Sequence, residues 1–406
     1  MNKPTRAPRV VISGAGVGGL CLAQGLRAHG IDVAVYEADR TADSRLQGYR
    51  LRIDEFGRAA LAACLPERLY ALLEATSNRL YMPRGVTYDE QLNELGAHRP
   101  AGTPLDPARA SMVVNRRTLR QVLLTGLREV VHFGRTVVGY EAAGDTVHVR
   151  FADGASEAAE VFVIADGINS LARQQRLPHA QVLDTGLRGV YGHMALDAEA
   201  LSWIPPELLG GSRPVLGPDR RTLALGVFRP RTPIPEAVRR HAPEAELDPV
   251  GDYLKWTLVA PAEGYPVPED ELFAAGPLQL HALATEMTEG WHPVLRRMVA
   301  RAHRESTFAL SIRAVPLPER WEPSRITLLG DCIHATTPVG GVGANTALRD
   351  AALLSSHLAT AAERGTHPVA AIAAYEDAMR GYAHQAVQGS LRGAETVFRA
   401  RRLAGV

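Results

Sequence analysis

The apolar positions of this chain fall into two unlike patterns. Near the start, Arg9–Ser13 is a short, nearly continuous apolar run, the mark of a strand buried on both faces of a parallel sheet. Glycines follow. A helix rich in small residues then runs to about His29, with Gly30 as its stop. Ile31–Tyr36 alternates and is rich in valine, which predicts a second strand ending at Glu37. The result is a βαβ opening. Further along, the segment GYRLRID reads as a strand with Arg50 and Arg52 on one face, followed by a helical Arg58–Cys64. Leucines at 119, 123, 124 and 127 predict a helix over Asn115–Leu127. Thr146–Phe151 and Val161–Ala165 read as strands around the turn Asp153–Gly154, and Ile326–Leu329 reads as a last core strand.

The second pattern occupies Tyr81–Ala110, a loop-like stretch, and about 176–290, where prolines and loops become dense and strands surface only as Val190–Met194 and Thr222–Phe228. Helical spacing returns in Trp291–His303, Ala344–Leu358 and Pro368–Arg402. These patterns predict an α/β fold with a Rossmann-like lobe assembled from 1–80, 111–175 and 291–365. A smaller mixed-sheet lobe comes from 81–110 and 176–290, and C-terminal helices from 366–406. A length of 406 residues agrees with two lobes.

Composition narrows the class of function. A net charge of +1 provides no field to hold nucleic acid or an anionic membrane. Cys21, Cys64 and Cys332 form no CxxC pair, which argues against a zinc site or a disulfide framework and agrees with a reducing cytoplasm. Lys3, Arg6 and Arg9 precede an apolar run as in a secretory signal, but Gly14, Gly16, Gly18 and Gly19 interrupt it. No stretch reaches the roughly 18 apolar residues of a membrane span.

The chemistry lies in the glycines. Gly14-Ala15-Gly16-Val17-Gly18-Gly19 sits between strand and helix. Gly14 permits the tight turn, Gly16 lets backbone approach a pyrophosphate over the positive helix end, and Gly19 lets helix and strand close up. Glu37 stands at about the roughly 20-residue distance expected of a ribose-binding acid, which favours FAD or NAD over NADP. Far away, Asp331 follows the strand Ile326–Leu329. Its carboxylate is placed either to accept bonds from sugar hydroxyls or to cap a turn. Pro338, Gly340, Gly341, Gly343, Ala344 and Asn345 open a helix whose free N–H groups would stabilise negative charge.

In these motifs the chain resembles the class A, single-component FAD-dependent aromatic hydroxylases, which include para-hydroxybenzoate hydroxylase and the tetracycline-inactivating monooxygenases. The resemblance rests on the first glycine motif, VNRRTLRQVLL (114–124), VIADGINSLAR (163–173) and LLGDCIHATTPVGGVGANTALRDA (328–351). It implies that Arg116 lies against FAD and that Asp166 and Gly167 serve FAD and, indirectly, NADPH or NADH. It also implies that Asp331 holds the ribitol or ribose and that Pro338 stands beside the isoalloxazine ring. His334 would be structural support. Ile168, Asn169, Cys332 and Ile333 depart from the small residues usual in those motifs.

The activity implied is NAD(P)H- and O2-dependent hydroxylation of an aromatic or polyketide-like small molecule through a flavin C4a-hydroperoxide. The substrate would bind in the second lobe. Arg50, Arg52, Tyr191 and His193 are candidates to touch it; for the two arginines contact with FAD, with NAD(P)H or with an anionic substrate stands equally against a solvated edge. With one GxGxxG and no redox cysteine pair, the nicotinamide donor would bind transiently. The side chains show no nucleophilic triad and no metal pattern, so catalytic residues stay unassigned.

Other flavoenzyme chemistry remains open: a reductase, a halogenase or a non-catalytic FAD protein. Trp203-Ile204-Pro205 carries only the end of a halogenase motif. The short stretch after Tyr375–Val387 argues against a thioredoxin-like third domain. The basic end (Arg392, Arg399, Arg401, Arg402) reads as a solvated helix terminus rather than a membrane contact, and the chain as a monomer or homodimer.

Overall fold

The computed structural model describes residues 8–42, 44, 49–80, 85–98, 111–210 and 213–400. Residues 81–84 and 99–110 of the expected second-lobe segment, and Arg401 and Arg402, lie outside the described residues. Strands are numbered along the chain. The first sheet is fully parallel: β1 (Val10–Ser13), β2 (Val33–Glu37), β8 (Val131–Phe133), β12 (Val161–Ile164) and β18 (Ile326–Leu328), in the order β18-β12-β1-β2-β8. Every residue of β1, β12 and β18 is buried, which is why those strands read as unbroken apolar runs.

Helix Val17–Ala28 follows β1 and packs on helix Gly343–Arg364 through small residues. A Cβ on Gly18 would come within 2.5 Å of Leu329 Cδ2 and 3.2 Å of Ala347 Cβ, and one on Gly25 within 2.7 Å of Ser355 Oγ. Two small antiparallel sheets complete this lobe: β9 (Val137–Ala143), β10 (Thr146–Phe151) and β11 (Ser156–Ala159); and β3 (Arg50–Ile53), β4 (Asn78–Leu80) and β7 (Ser111–Asn115), with β7 central.

The second lobe is built on a seven-stranded sheet. Its strands are β5 (Gly85–Asp89), β6 (Glu94–His98), β13 (Leu183–Ala195), β14 (Arg213–Leu216), β15 (Thr222–Phe228), β16 (Tyr253–Pro261) and β17 (Phe308–Ala314). The order is β17-β13-β16-β15-β14-β5-β6, antiparallel except where β14 meets β5. Strand side chains alternate between faces. One face puts Val190, Met194, Leu254, Trp256, Leu258 and Leu225 into a core closed by the helices Pro277–Met287 and Pro293–Ala300. The other face carries Tyr191, His193, Tyr253, Lys255 and Thr257 and turns toward β3 and β7.

Two expectations need correction. The segment 291–365 does not belong whole to the FAD lobe. Trp291, Leu295, Met298 and Val299 lie in the second core, and β17 is an outer strand of the second sheet. An amphipathic stripe states that a helix buries one face, not which core receives it. Conversely, Ala237, Ala242 and Ala245 of the expected second lobe pack into the first core.

The C-terminal region holds one long described helix, Pro368–Val397. Ile372, Tyr375 and Met379 join the first core, while Ala394 and Phe398 pack on Leu187, Val259 and Ile312 of the second sheet. Arg399 is no solvated terminus: its guanidinium donates to Gly217 O at 2.9 Å. Among the described residues no helix is long and apolar enough to cross a membrane.

Candidate active site

The strand order places β2 on one side of β1 and β12 on the other, so connections leave β1 in opposite directions and open a crevice at the carboxyl ends of the strands. Gly14, Glu37, Asp166 and Asp331 all lie at such ends. The three motif glycines answer to three different demands. Gly14 has φ +103°, and a Cβ there would lie 2.4 Å from Ala165 O. A Cβ on Gly19 would lie 2.1 Å from Gly14 O. A Cβ on Gly16 would have no atom within 4 Å, because this glycine faces the crevice rather than the protein. Gly16 is also the N-cap of Val17–Ala28 and makes no side-chain cap bond, so the positive helix end opens into the same space.

Glu37 is nearly buried. Its Oε2 accepts from Ala15 N at 2.8 Å and its Oε1 from Asp39 N at 3.0 Å, which fixes the carboxylate beside the glycine loop. Arg120 adds to that corner: its Nε donates to Ala15 O at 3.0 Å and its Nη2 lies 3.9 Å from Glu37 Oε2. Arg116 stands one helical turn earlier, half-buried, with its backbone N–H donating to Tyr49 O at 2.7 Å. The sequence reading took Arg116 and missed Arg120, although the i,i+4 spacing puts both on one helix face.

Asp166 ends β12. Its Oδ2 accepts from Ser13 Oγ at 3.1 Å, and its buried Oδ1 has no hydrogen-bond partner. Burial raises its carboxyl above the usual range, opposed by the Ser170 and Ser13 hydroxyls and aided by the nearby charge of Glu37. Gly167, at φ +84°, makes the turn. The departures beside these motifs have scaffold roles. Arg313 of β17 donates to Asn169 Oδ1 at 3.0 Å, and the Cys332 thiol donates to Ile164 O at 3.0 Å.

Asp331 is exposed and opens the short helix Asp331–His334, whose N-cap is Gly330. A Cβ on Gly343 would sit 3.7 Å from Asp331 Oδ1, so the carboxylate stands at the start of Gly343–Arg364. That 22-residue helix begins after Pro338 and the turn Val339–Gly341, with Gly340 at φ +80° and Gly341 at φ +62°. Its first internal bond runs from Thr346 N to Val342 O, which leaves the N–H groups of Gly343, Ala344 and Asn345 outside the helical ladder.

The Asn345 side chain itself belongs to the scaffold. Its Oδ1 accepts from Asp54 N at 2.9 Å, and its Nδ2 donates to Arg52 O and Gly341 O, both at 2.8 Å. Beneath lies the fully buried pair His334 and Asp350, in which His334 Nε2 donates to Asp350 Oδ2 at 2.6 Å, and the partly buried Tyr382 OH donates to Asp350 Oδ1 at 2.7 Å. Burial opposes a charge on His334, but Asp350 outweighs it and raises the imidazole above its ordinary value.

Across the crevice stands the polar face of the second sheet. The register pairs His193 with Lys255 and Tyr191 with Thr257, so all four share that face. Tyr191 stacks on Phe308 with ring centres 5.0 Å apart and planes 4° apart, and Tyr49 lies 4.4 Å from His193. Burial, with His303 adding repulsion, pushes His193 down to about 4, so its imidazole is neutral near pH 7; burial lifts the Tyr191 hydroxyl to about 12.

Arg50 is not a solvated edge: its Nε donates to Val227 O at 2.9 Å, joining β3 to the second sheet. Arg52 lies under the turn, its Cβ 3.6 Å from where a Cβ on Gly341 would stand. Sequence reasoning missed Tyr49, Tyr253, Lys255, Thr257 and Phe308. The signal for three of them was the alternation of Tyr253, Lys255 and Thr257 with Leu254, Trp256 and Leu258.

Residues 298–390 match the family described as the FAD binding domain. A putative FAD containing monooxygenase from Photorhabdus luminescens subsp. laumondii TTO1 is 33% identical, and the match covers 97% of this chain and 99% of that one with a TM-score of 0.81. This chain belongs to the FAD-dependent monooxygenase family.

Within that family, the dual O-methyltransferase/FAD-dependent monooxygenase elcB of Phaeosphaeria nodorum is 34% identical over 87% of this chain and 40% of its own length. CTB3 of Cercospora beticola, likewise a dual O-methyltransferase/FAD-dependent monooxygenase, is 32% identical over 97% of this chain and 47% of its own length. The chain thus spans less than half the length of these curated relatives. The crevice of this monooxygenase-family chain fits FAD on its own features: the open backbone at Gly16, the orphaned Oδ1 of Asp166 and the uncapped start of Gly343–Arg364.

Proposed function

We propose that this chain is an FAD-dependent, NAD(P)H-consuming monooxygenase that hydroxylates an aromatic or polyketide-like small molecule. One observation carries the reading: an open dinucleotide crevice ends at an uncapped helix start, and an aromatic and cationic sheet face stands opposite. Gly14, Ala15, Gly16, Val17, Gly18 and Gly19 would hold the pyrophosphate, and Glu37 a ribose. Arg116, Asp166 and Gly167 would line the middle of the cofactor. Asp331 would accept from the ribitol hydroxyls.

Pro338, Gly341, Gly343, Ala344 and Asn345 would border the ring, with backbone N–H groups at the helix start offsetting negative charge there. Bound there, FAD would supply the redox chemistry, hydride acceptance from NADPH or NADH and activation of O2. The protein's part is to orient the substrate, exclude water and balance charge. Tyr191, Phe308 and Tyr49 offer aromatic surfaces, and the neutral His193 offers a hydrogen-bonding edge.

The test is the absorbance spectrum of the purified protein, recorded before and after anaerobic NADPH or NADH and again after air. The expected result is an oxidised-flavin spectrum that bleaches with a donor, with or without an aromatic added, and returns on aeration. Asp331→Ala should lower the FAD content at least about tenfold, the loss of one or two charge-assisted bonds of roughly 1.5–3 kcal/mol each. A yellow Asp331→Ala protein with full FAD content would remove Asp331 from the site.

A further inference from the structure

Two cations cross the same glycine on the polar face of the second sheet. A Cβ on Gly226 would lie 3.1 Å from Arg50 Nη1 and 3.3 Å from Lys255 Cε. Neither side chain has a carboxylate partner among the described residues. Arg50 spends Nε on Val227 O, and its buried Nη2 has no hydrogen bond at all. Lys255 Nζ reaches Thr257 Oγ1 at 3.0 Å, a neutral acceptor. A half-buried pair of like charges costs stability and is relieved by an anion placed between them.

The groups around Lys255 leave that anion to come from outside. On β13 they are His193 and Tyr191, on its own strand Tyr253, and on β3 Arg50 and Arg52; the β15 residues opposite, Ala224, Gly226 and Phe228, carry no charge. Burial, helped by Arg50, lowers the Lys255 ammonium to about 7, and burial lowers Arg50 to about 10.

We infer that Arg50 and Lys255 form an oxyanion-binding subsite that selects aromatic substrates bearing a carboxylate or an ionised phenol or enol oxygen. This rests on the reading of the polar sheet face as the substrate surface. The rings of Tyr191, Phe308 and Tyr49 lie beside the pair, since His193 and Lys255 are register partners and Tyr49 packs on His193. The pair supplies charge to one end of the substrate and the rings supply flat apolar surface to the rest. Gly226 keeps the two cations close together, because any side chain there would push between them.

The experiment is calorimetric titration of the FAD-loaded protein with benzoate and its neutral counterpart benzamide, and with 2,4-dinitrophenolate and 1,3-dinitrobenzene, at pH 6.5 and pH 9. At pH 6.5 we expect at least one anion to bind about tenfold or more tighter than its neutral counterpart. Which anion does so identifies carboxylate or phenolate. Benzoate is charged at both pH values, so its affinity should fall as pH rises through the Lys255 titration. Lys255→Met should abolish the preference and flatten the pH dependence. Lys255→Arg should restore the preference without that pH dependence.

Arg50→Lys, which retains a cation, guards against a folding defect from losing the bond to Val227, and should keep the preference. Equal binding of anion and neutral probe, or no binding of any of the four, overturns the inference. So does a Lys255→Met protein that keeps the preference, or that loses affinity only for NADPH against NADH. Failure of the flavin reading shows separately, as a protein that takes up no FAD, and the same titrations of the apoprotein then decide the subsite.

Discussion

Gly16 and Gly19 belong to one motif, yet they answer to different partners, and substitution separates them. Gly19 touches its own protein: alanine there would drive Cβ into Gly14 O, 2.1 Å away. Gly19→Ala should cost on the order of 2–4 kcal/mol and lower the melting temperature with or without cofactor, as forced overlap in packed interiors does. Gly16→Ala meets nothing within 4 Å and has no positive φ to strain. It should leave apoprotein melting within about 0.5 kcal/mol of wild type while reducing FAD affinity on the order of tenfold or more. Thermal melts of the two apoproteins, with FAD titrations alongside, check the pair. Equal losses in both would mean that Gly16 serves packing after all. This division of labour was visible in the sequence, since GxGxxG between a buried strand and a helix carries its geometry in its spacing. The commitment of the Asn345 side chain to Asp54 and Arg52 was not visible, because these partners lie almost 300 residues earlier in the chain.

At the scale of elements, Asn345 ties β3 to the start of the helix Gly343–Arg364, and Gly57 leaves room for it: a Cβ on Gly57 would lie 2.2 Å from Asn345 Oδ1. Asn345→Ala would strand the Asp54 N–H and the Arg52 and Gly341 carbonyls. The expected cost is about 1–3 kcal/mol for each group left buried without a partner. FAD affinity should weaken as well, because the turn Val339–Gly341 loses its anchor. A melt and an FAD titration read both losses; unchanged affinity would detach the turn from the cofactor. Four of the five parallel strands were legible because burial on both faces leaves contiguous apolar letters; β8, buried only at Val131, was not. β16 escaped notice because both of its faces are buried except at Lys255, and its polar face carries Tyr253 and Thr257 among apolar neighbours, which blurs the period of two. The helix in Trp291–His303 was legible as a helix and misplaced as to lobe, since its partners are set by the topology of a sheet that the sequence only half disclosed.

Over the whole molecule, the proposed cofactor site draws on residues 14–19, 37, 116, 166–167 and 331–345, and the helix Pro368–Val397 spans both cores. Gly393 packs so closely that a Cβ there would lie 2.6 Å from Val339 Cγ1, and Thr337 Oγ1 donates to Ser390 O at 2.8 Å. The same helix that holds the turn Val339–Gly341 also reaches the second sheet through Ala394 and Phe398. FAD bound among these segments should stabilise them together. A free FAD concentration about 100 times the dissociation constant should add about 2.7 kcal/mol, seen as a melting temperature that climbs with FAD. A melting temperature indifferent to FAD would contradict a site assembled from so many segments.

The order of the first sheet has a consequence during synthesis. β12 lies between β1 and β18, and its partner on one side, Ile326–Leu328, is made about 160 residues after β12 itself. While the ribosome works through that interval, Val161–Ile164 presents an apolar strand with one edge unpaired, the kind of edge that recruits strands from neighbouring chains. Slow translation at high temperature would lengthen that exposure. Cool expression, where the edge is less adhesive, or a chaperone that covers it until residue 328 emerges, should raise the yield of folded protein. Adding more flavin to the growth medium could not, because the pocket does not exist until the last strand arrives.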